Sequence, residues 1–258
     1  MTSSKVRCVK NSNQESPKLN LVGIARDAGK AYGQNPKILV PAIILIIAMF
    51  LVSELSGLVL PYLQTTTANV IWSLIATLIQ LSILAYCFSA MFAFSARIAQ
   101  EHVQSLSQIF TIARKRTLTM FSLLAITLII FMLLNALALT IGKSALVFNA
   151  SAALVAVIAV WVLGFFGCII FLAFANVLCV TESLNAFASV RTSARIVIKN
   201  YLVVSLLSII LFIIFYFIDR FISEFLAELI KSLIILPYLA LLLVYFIKRA
   251  RKNGLHTG

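Results

Sequence analysis

Apolar residues fall into six long runs along this chain, at residues 38–60, 70–96, 118–141, 145–180, 201–218 and 229–247. A helix rises about 1.5 Å per residue, so about 20 mostly apolar residues cross about 30 Å of hydrocarbon. The runs are continuous rather than alternating between apolar and polar, which selects helices over the strands of a membrane barrel. An all-α integral membrane protein with six transmembrane helices is therefore expected. The fourth run exceeds what one crossing needs. It is either one tilted helix that continues past the interface or two pieces broken near Gly164 and Gly167. No charge or proline marks a turn there, which favours the single helix. The first run starts too far into the chain, and is too long, for a secretory leader, and it lacks a small-residue cleavage site.

A polar-to-amphipathic stretch precedes each odd-numbered run. Leu21, Ile24, Ala25 and Ala28 form one apolar face, with Arg26 and Lys30 on another. Leu106, Ile109, Phe110 and Ala113 repeat the spacing, with Gln104, Ser107 and Gln108 off it. Phe187, Val190, Ala194 and Val197 make a third stripe beside Arg191 and Arg195. Such segments are either helices lying at the interface or under the bundle, or mere extensions of the spanning helices. The first and third match residue by residue: Leu19-Asn20 with Leu184-Asn185, Arg26 with Arg191, Lys30 with Arg195, and Asn35 with Asn200. In the middle stretch Arg114 can stand opposite Arg191, but nothing corresponds to Asn200. Three repeats of an amphipathic helix plus a two-span hairpin are expected. Residues 221–231 differ: Phe221, Ile222, Phe225, Leu226 and Leu229 oppose Asp219, Glu224 and Glu228. They predict a second kind of interfacial helix, leading into a last span that Pro237 kinks.

Composition agrees. Apolar residues make up 62% and charged residues 11% of the 258 positions, against about 25% charged in soluble domains. A soluble globular or a disordered protein is excluded. The 21 Lys and Arg against 8 Asp and Glu give a formal charge of +13, and their placement decides its meaning. The segment before the first run carries seven basic residues, the second and fourth loops four and three, and the C-terminal tail four. The first, third and fifth loops carry none, one and two. Basic residues collect on the cytoplasmic side, so both termini are expected there, in a protein of the plasma membrane. The charge then meets anionic lipid headgroups of the inner leaflet rather than nucleic acid. A disordered basic tail over 1–18, one membrane domain over 19–248 and a cytoplasmic tail over 249–258 complete the expected organisation.

Residues 189–202, SVRTSARIVIKNYL, carry Ser193, Arg195, Ile196 and Asn200 on an A-L-x-x-S-x-x-L-v-x-x-N pattern, although Ser189 stands where Ala is usual and Lys199 where Gly is frequent. In this the chain resembles the six-span membrane domain associated with some glycerophosphodiester phosphodiesterases, and similar six-span families. The C-terminal Leu236-Pro237-Tyr238 and the stretch from Tyr245 to Arg249 resemble the ending of such domains. The resemblance implies six membrane helices. The soluble phosphodiesterase domain has no counterpart among these residues, so it implies no catalytic role.

Few residues offer chemistry within the spans. Glu54, in the first, is a carboxylate at membrane depth. It is either a hydrogen-bonded group near the outer interface, beside Ser53, Ser56 and Gly57, or a proton or cation site facing the bundle interior. Gln80, Asn135 and Asn176 are uncharged polar residues whose ordinary use is interhelical hydrogen bonding. Gly164, Gly167 and Cys168 offer a small face for close helix packing. Outside the spans, Arg191, Arg195 and Lys199 step along one helical face, with Arg26 and Lys30 as counterparts in the first unit and Arg114, Lys115 and Arg116 in the second. Such rows are either solvated or hold lipid phosphates. Asn35 and Asn200 stand at junctions between amphipathic and spanning helices. Cys8, Cys87, Cys168 and Cys179 form no paired motif, and neither His102 nor His256 completes a metal set. No metal, cofactor or catalytic residue is expected, and no protein partner is indicated. The sequence is read as a non-enzymatic membrane protein that interacts with lipids or supports another membrane component; the alternative is a small secondary transporter or channel using Glu54.

Overall fold

A computed structural model of the chain describes residues 20–63, 65–101, 105–147, 149–164 and 170–252. Every long element among them is a helix: α1 (Leu21–Gln34), α2 (Leu39–Val59), α3 (Thr66–Ala99), α4 (Leu106–Leu146), α5 (Ala150–Gly164), α6 (Ile170–Thr181), α7 (Ala186–Lys199), α8 (Tyr201–Phe221), α9 (Glu224–Ile230) and α10 (Leu236–Lys252). Five continuous helical segments are long and apolar enough to cross a membrane: Pro36–Tyr62, Thr66–Ala99, Leu106–Ser144, Tyr201–Phe221 and Glu224–Lys252. This is an all-α membrane protein. The choice between one helix and two over 145–180 turns on residues 165–169, which lie outside the described residues. Two shorter apolar helices, α5 and α6, occupy that run; Gly167 and Cys168, between them, lie outside the described residues, as does the tail over 1–18. At the other end, helix continues through Lys252, where cations in the last turn complement its dipole.

Asparagines decide where the amphipathic helices begin and end. α1 and α7 are both 14 residues long. The side-chain oxygen of Asn20 accepts from the Gly23 amide at 3.1 Å, and that of Asn185 from the Ala188 amide at 2.8 Å. These bonds satisfy amides that a first helical turn leaves without partners. At the far ends, the Nδ2 groups of Asn35 and Asn200 each donate to a carbonyl four residues back, Ala31 and Ile196, at 2.9 Å. The middle stretch starts from Ser105 and Gln108, each accepting from the other's backbone amide at 3.4 and 3.3 Å, a capping box. It has no asparagine at its end, so α4 runs on for 41 residues, amphipathic turns and span in one. Both of the arrangements weighed for these stretches thus occur, and the presence of one amide side chain separates them. The buried positions agree across the three: Ile24 and Ala28, Ile109 and Ala113, Ser189 and Ser193 stand four and eight residues after their caps.

These faces bury against an inner set of helices. The second half of α3, α6 and residues 240–247 of α10 are mostly buried, and these helices touch one another. Around them α1 packs on α10 and α7 on α6, while α4 packs on α3. Tyr86 stacks on Phe110 with ring centroids 5.8 Å apart, and the Ser193 hydroxyl donates to the Phe171 carbonyl. The other ends of α2, α3 and α4 expose Leu55, Leu58, Leu74 and Leu133, as helices surrounded by lipid do. There α4 and α5 approach closely: a Cβ on Gly142 would sit 2.7 Å from Val157, and one on Gly164 would sit 2.5 Å from Leu134. Gly164 therefore serves the close packing expected of it.

Over 221–231, where an interfacial helix is expected, the structure has the seven residues of α9, which continue through a π-turn (Lys231–Ile235) into α10. Pro237 accounts for the irregularity. In an α-helix the Leu233 carbonyl would accept from residue 237, and proline has no N–H to give. The helix widens, so that the Leu236 amide reaches back to Lys231. The Leu233 carbonyl accepts instead from the hydroxyl of Tyr32 on α1, at 3.0 Å. Burial pushes that hydroxyl above its usual pKa, which keeps its proton in place. Tyr238, edge-on to Tyr32, donates to the Ala25 carbonyl at 3.2 Å. The first helix of the chain is thereby clamped to the last.

Loss of the hydroxyl in Tyr32→Phe leaves the Leu233 carbonyl without a donor, at an expected cost of about 1–3 kcal/mol. Pro237→Ala restores an N–H at the position that carbonyl would ordinarily use, so the same substitution is expected to cost less than about half as much in that background. Unfolding of the purified protein in detergent, titrated with sodium dodecyl sulfate, measures both; equal costs in the two backgrounds contradict the assignment.

Candidate functional site

Several of the basic residues gather around the ends of the inner helices. A cavity of about 820 Å³ opens there between α1, α3 and α10. Lys30 of α1, Lys37 of the following turn, Arg97 of α3 and Lys248, Arg249 and Lys252 of α10 line it. Asp27 and Glu101 are its carboxylates, while Phe94, Ile98, Ile109 and Tyr245 give it apolar walls.

Three of the cations are held by the protein. Arg249 forms an ion pair with Asp27, Lys248 donates to the Ala99 carbonyl at the end of α3, and Arg97 reaches the Gln100 side chain at 3.5 Å. The Ala99 carbonyl is one of those a helix end leaves without an amide, so the lysine both caps α3 and fixes α10 beside it. Lys30, Lys37 and Lys252 are exposed and have no ion pair among the described residues. Glu101 stands at a φ of 60°, the left-handed conformation in which chains often leave a helix.

A smaller cavity of about 240 Å³ lies between α3, α4 and α6, and it is lined by Lys115, Arg116 and, again, Arg97. Arg116 also donates to the Ser183 carbonyl at 3.0 Å. The junction of α6 with α10 is different. There Arg251 pairs with Glu182, whose side chain is 16% exposed. Burial pushes the Glu182 carboxyl above its usual pKa, and Arg251 opposes that shift without cancelling it.

The structure therefore divides the basic residues singled out in the sequence. Lys30 lines the larger cavity, with Asn35 beside it, and Lys115 and Arg116 line the smaller. Arg26, Arg114, Arg191, Arg195 and Lys199 line neither; they are exposed, the last three along the outer face of α7. Asn200 remains a helix junction. Sequence reasoning did not pick out Lys37, Arg97, Lys248, Arg249 or Lys252 as site residues. Their shared cavity depends on α1 meeting α10 across more than two hundred residues of chain, as the Asp27–Arg249 separation of 222 shows.

Polar groups within the spans are scattered. Glu54 is exposed, with Ser53 and Leu55 exposed on either side; it does not face the bundle interior, as a proton or cation site there would require. Gln80 is half-buried. Asn135 bonds the Phe131 carbonyl of its own helix at 3.0 Å rather than a neighbouring helix, since that acceptor lies within reach of its short side chain. Asn176 is 8% exposed, and its side-chain oxygen has no partner among the described residues. Cys87 and Cys179 are buried free thiols.

Glu182 makes stability depend on pH. Its folded pKa lies above the ordinary 4.5, so folding favours the protonated form, and stability falls as pH rises from about that value through the folded pKa. Compared with Glu182→Gln, which does not titrate, the protein is expected to lose thermal stability over that interval and to run parallel to the variant below it. Melting in detergent between about pH 4 and 7 measures the difference; a constant offset throughout, or a difference of opposite sign, contradicts it.

Models of protein families, curated proteins and solved structures provide no match to this chain, so its functional reading stands on the arrangement of these charged helix ends.

Proposed function

We propose that the chain is a six-crossing, non-enzymatic protein of the plasma membrane that holds anionic lipid headgroups on its cytoplasmic face. In this reading α5 and α6 together supply the crossing that neither is long enough to make alone. Both termini are cytoplasmic, and the molecule comprises three units of amphipathic helix plus hairpin. The matched asparagine caps of α1 and α7, and the burial pattern shared with the start of α4, support the repeat. The orientation follows from the eighteen-to-three division of Lys and Arg. The resemblance of residues 189–202 to a six-span membrane domain fits the same plan.

One observation carries the functional part: most exposed cations without an ion pair stand in the segments that the charge division places on one side of the bundle, with Lys143 and Arg220 on the other. Arg191, Arg195 and Lys199 on α7, with Arg26 on α1 and Arg114 on α4, are exposed and form no ion pair among the described residues. Like charges aligned on one face repel unless something negative lies against them. At this level of a membrane the nearest abundant anions are lipid phosphates, each juxtamembrane cation contributing about 1 kcal/mol. A chain that retains lipids in this way supports the order of its surroundings or of another membrane component rather than converting a substrate.

Charge reversal in Arg191→Glu/Arg195→Glu is therefore expected to lower the number of anionic lipids that stay with the purified protein. Native mass spectrometry counts them, and an unchanged count rejects the proposal.

A further inference from the structure

We infer that the cavity between α1, α3 and α10 is a one-to-one site for a ligand carrying two or more phosphate groups. The inference rests on the preceding reading, that this end of the protein meets anions, and adds a defined place and a chemical class.

Charge count sets the class. Six cations and two carboxylates line the cavity, an excess of four positive charges. A lipid phosphodiester brings a single negative charge and leaves most of that excess in place. A phosphate monoester carries about −1.5 to −2 at neutral pH, so two of them on one molecule approach balance. Geometry points the same way. The three unpaired lysines come from separate segments: Lys30 from α1, Lys37 from the turn after Asn35, and Lys252 from the last turn of α10. Arg97 adds a planar fork from α3, suited to two parallel bonds to one phosphate. Cations approaching from several sides surround an extended polyanion, whereas the row on α7 presents a convex face to many separate anions.

Size and lining agree. About 820 Å³ falls within the roughly 300–1,000 Å³ of small-molecule sites and is far more than one phosphate fills. Phe94, Ile98, Ile109 and Tyr245 would pack on a non-ionic body such as a polyol ring. The site is also largely built in advance: Asp27 holds Arg249 and the end of α3 holds Lys248, so little side-chain ordering remains to be done on binding.

The shared chemistry, a phosphorylated polyol, is available as a lipid headgroup or as a free solute, and the test separates these. The full chain in detergent is titrated with short-chain phosphatidylinositol bisphosphate, with soluble inositol trisphosphate and with short-chain phosphatidylserine. One saturable equivalent per chain is expected for the first, at least about tenfold tighter than for phosphatidylserine. Equal affinity for the soluble trisphosphate identifies the headgroup alone as the ligand; binding of the lipid only identifies a bilayer source. The triple variant Lys30→Gln/Lys37→Gln/Lys252→Gln removes exposed charges without breaking a bond of the fold, and is expected to bind at least about tenfold more weakly. The corresponding triple Arg variant is expected to retain binding. Absence of a saturable site, equal affinity for phosphatidylserine, or an unaffected glutamine variant overturns the inference. Arg191→Gln/Arg195→Gln lies outside the cavity and is expected to leave this equivalent intact. If that double variant abolishes it, binding is diffuse and the defined site is wrong, although lipid retention by the basic face stands. If the equivalent follows the three lysines while Arg191→Glu/Arg195→Glu retains all its lipid, the general reading fails and the site stands.

Discussion

The carbonyl of Leu233 is the constraint from which much of this architecture follows. A chain in hydrocarbon has no water to satisfy its backbone, so every carbonyl needs a partner in the protein. Pro237 withdraws the amide that Leu233 would use, and the last span takes a π-turn just before it. The donor that replaces the amide is Tyr32, about two hundred residues earlier, and it comes attached to α1. With Tyr238 bonded to Ala25 and Arg249 paired with Asp27, this places the first amphipathic helix along the last span. That placement in turn creates the larger cavity, since Lys30 and Lys37 are brought to Arg97 and Lys252 only because α1 lies there. A local defect in one helix is thus tied to the position of another helix and to the charges that helix carries.

Asparagine plays the second organising part, and it does so with the same side chain in two roles. At the start of α1 and α7 its oxygen accepts from an exposed amide; at their ends its amide nitrogen donates to a carbonyl four residues back. A short side chain that competes with the backbone for hydrogen bonds favours helix ends over helix interiors. Where it is present the amphipathic helix is a separate body that can turn and lie against an inner helix. Where it is missing, in α4, the helix continues straight into the span. The difference of one residue type at one place thereby changes the shape of a unit without changing which of its faces is buried.

The sequence made the helices legible because hydrocarbon imposes length and composition at once, and little else in a chain of this kind looks like a long apolar run. It also made the junction asparagines Asn35 and Asn200 legible, and the match of Asn20 with Asn185, though not their capping role. It failed where the outcome depends on distance along the chain. The basic rows were legible as rows, since i, i+4 spacing is local. Their division into cavity residues and outer-face residues was not, because Lys30 and Arg26 differ only in which side of α1 they occupy relative to α10. Lys248 and Arg249 looked like part of a terminal tail, although the protein uses both to join helix ends.

The three junctions between the inner helices differ in how their charges are met. Where α6 meets α10, one arginine meets one carboxylate, and Arg251 closes on Glu182. The price of that closure is visible in the raised pKa of the glutamate, which gives up hydration for a single partner. Where α3 meets α6, Arg97, Lys115 and Arg116 line the gap with no carboxylate among its lining residues, and a cavity remains. Where α3 meets α10, Lys248 joins the helices through the Ala99 carbonyl, and of the two carboxylates among the six cations of the cavity beside α1, Asp27 is taken by Arg249. An excess of cations over carboxylates, at a junction already joined by its own bonds, is the feature on which the proposed anion site rests.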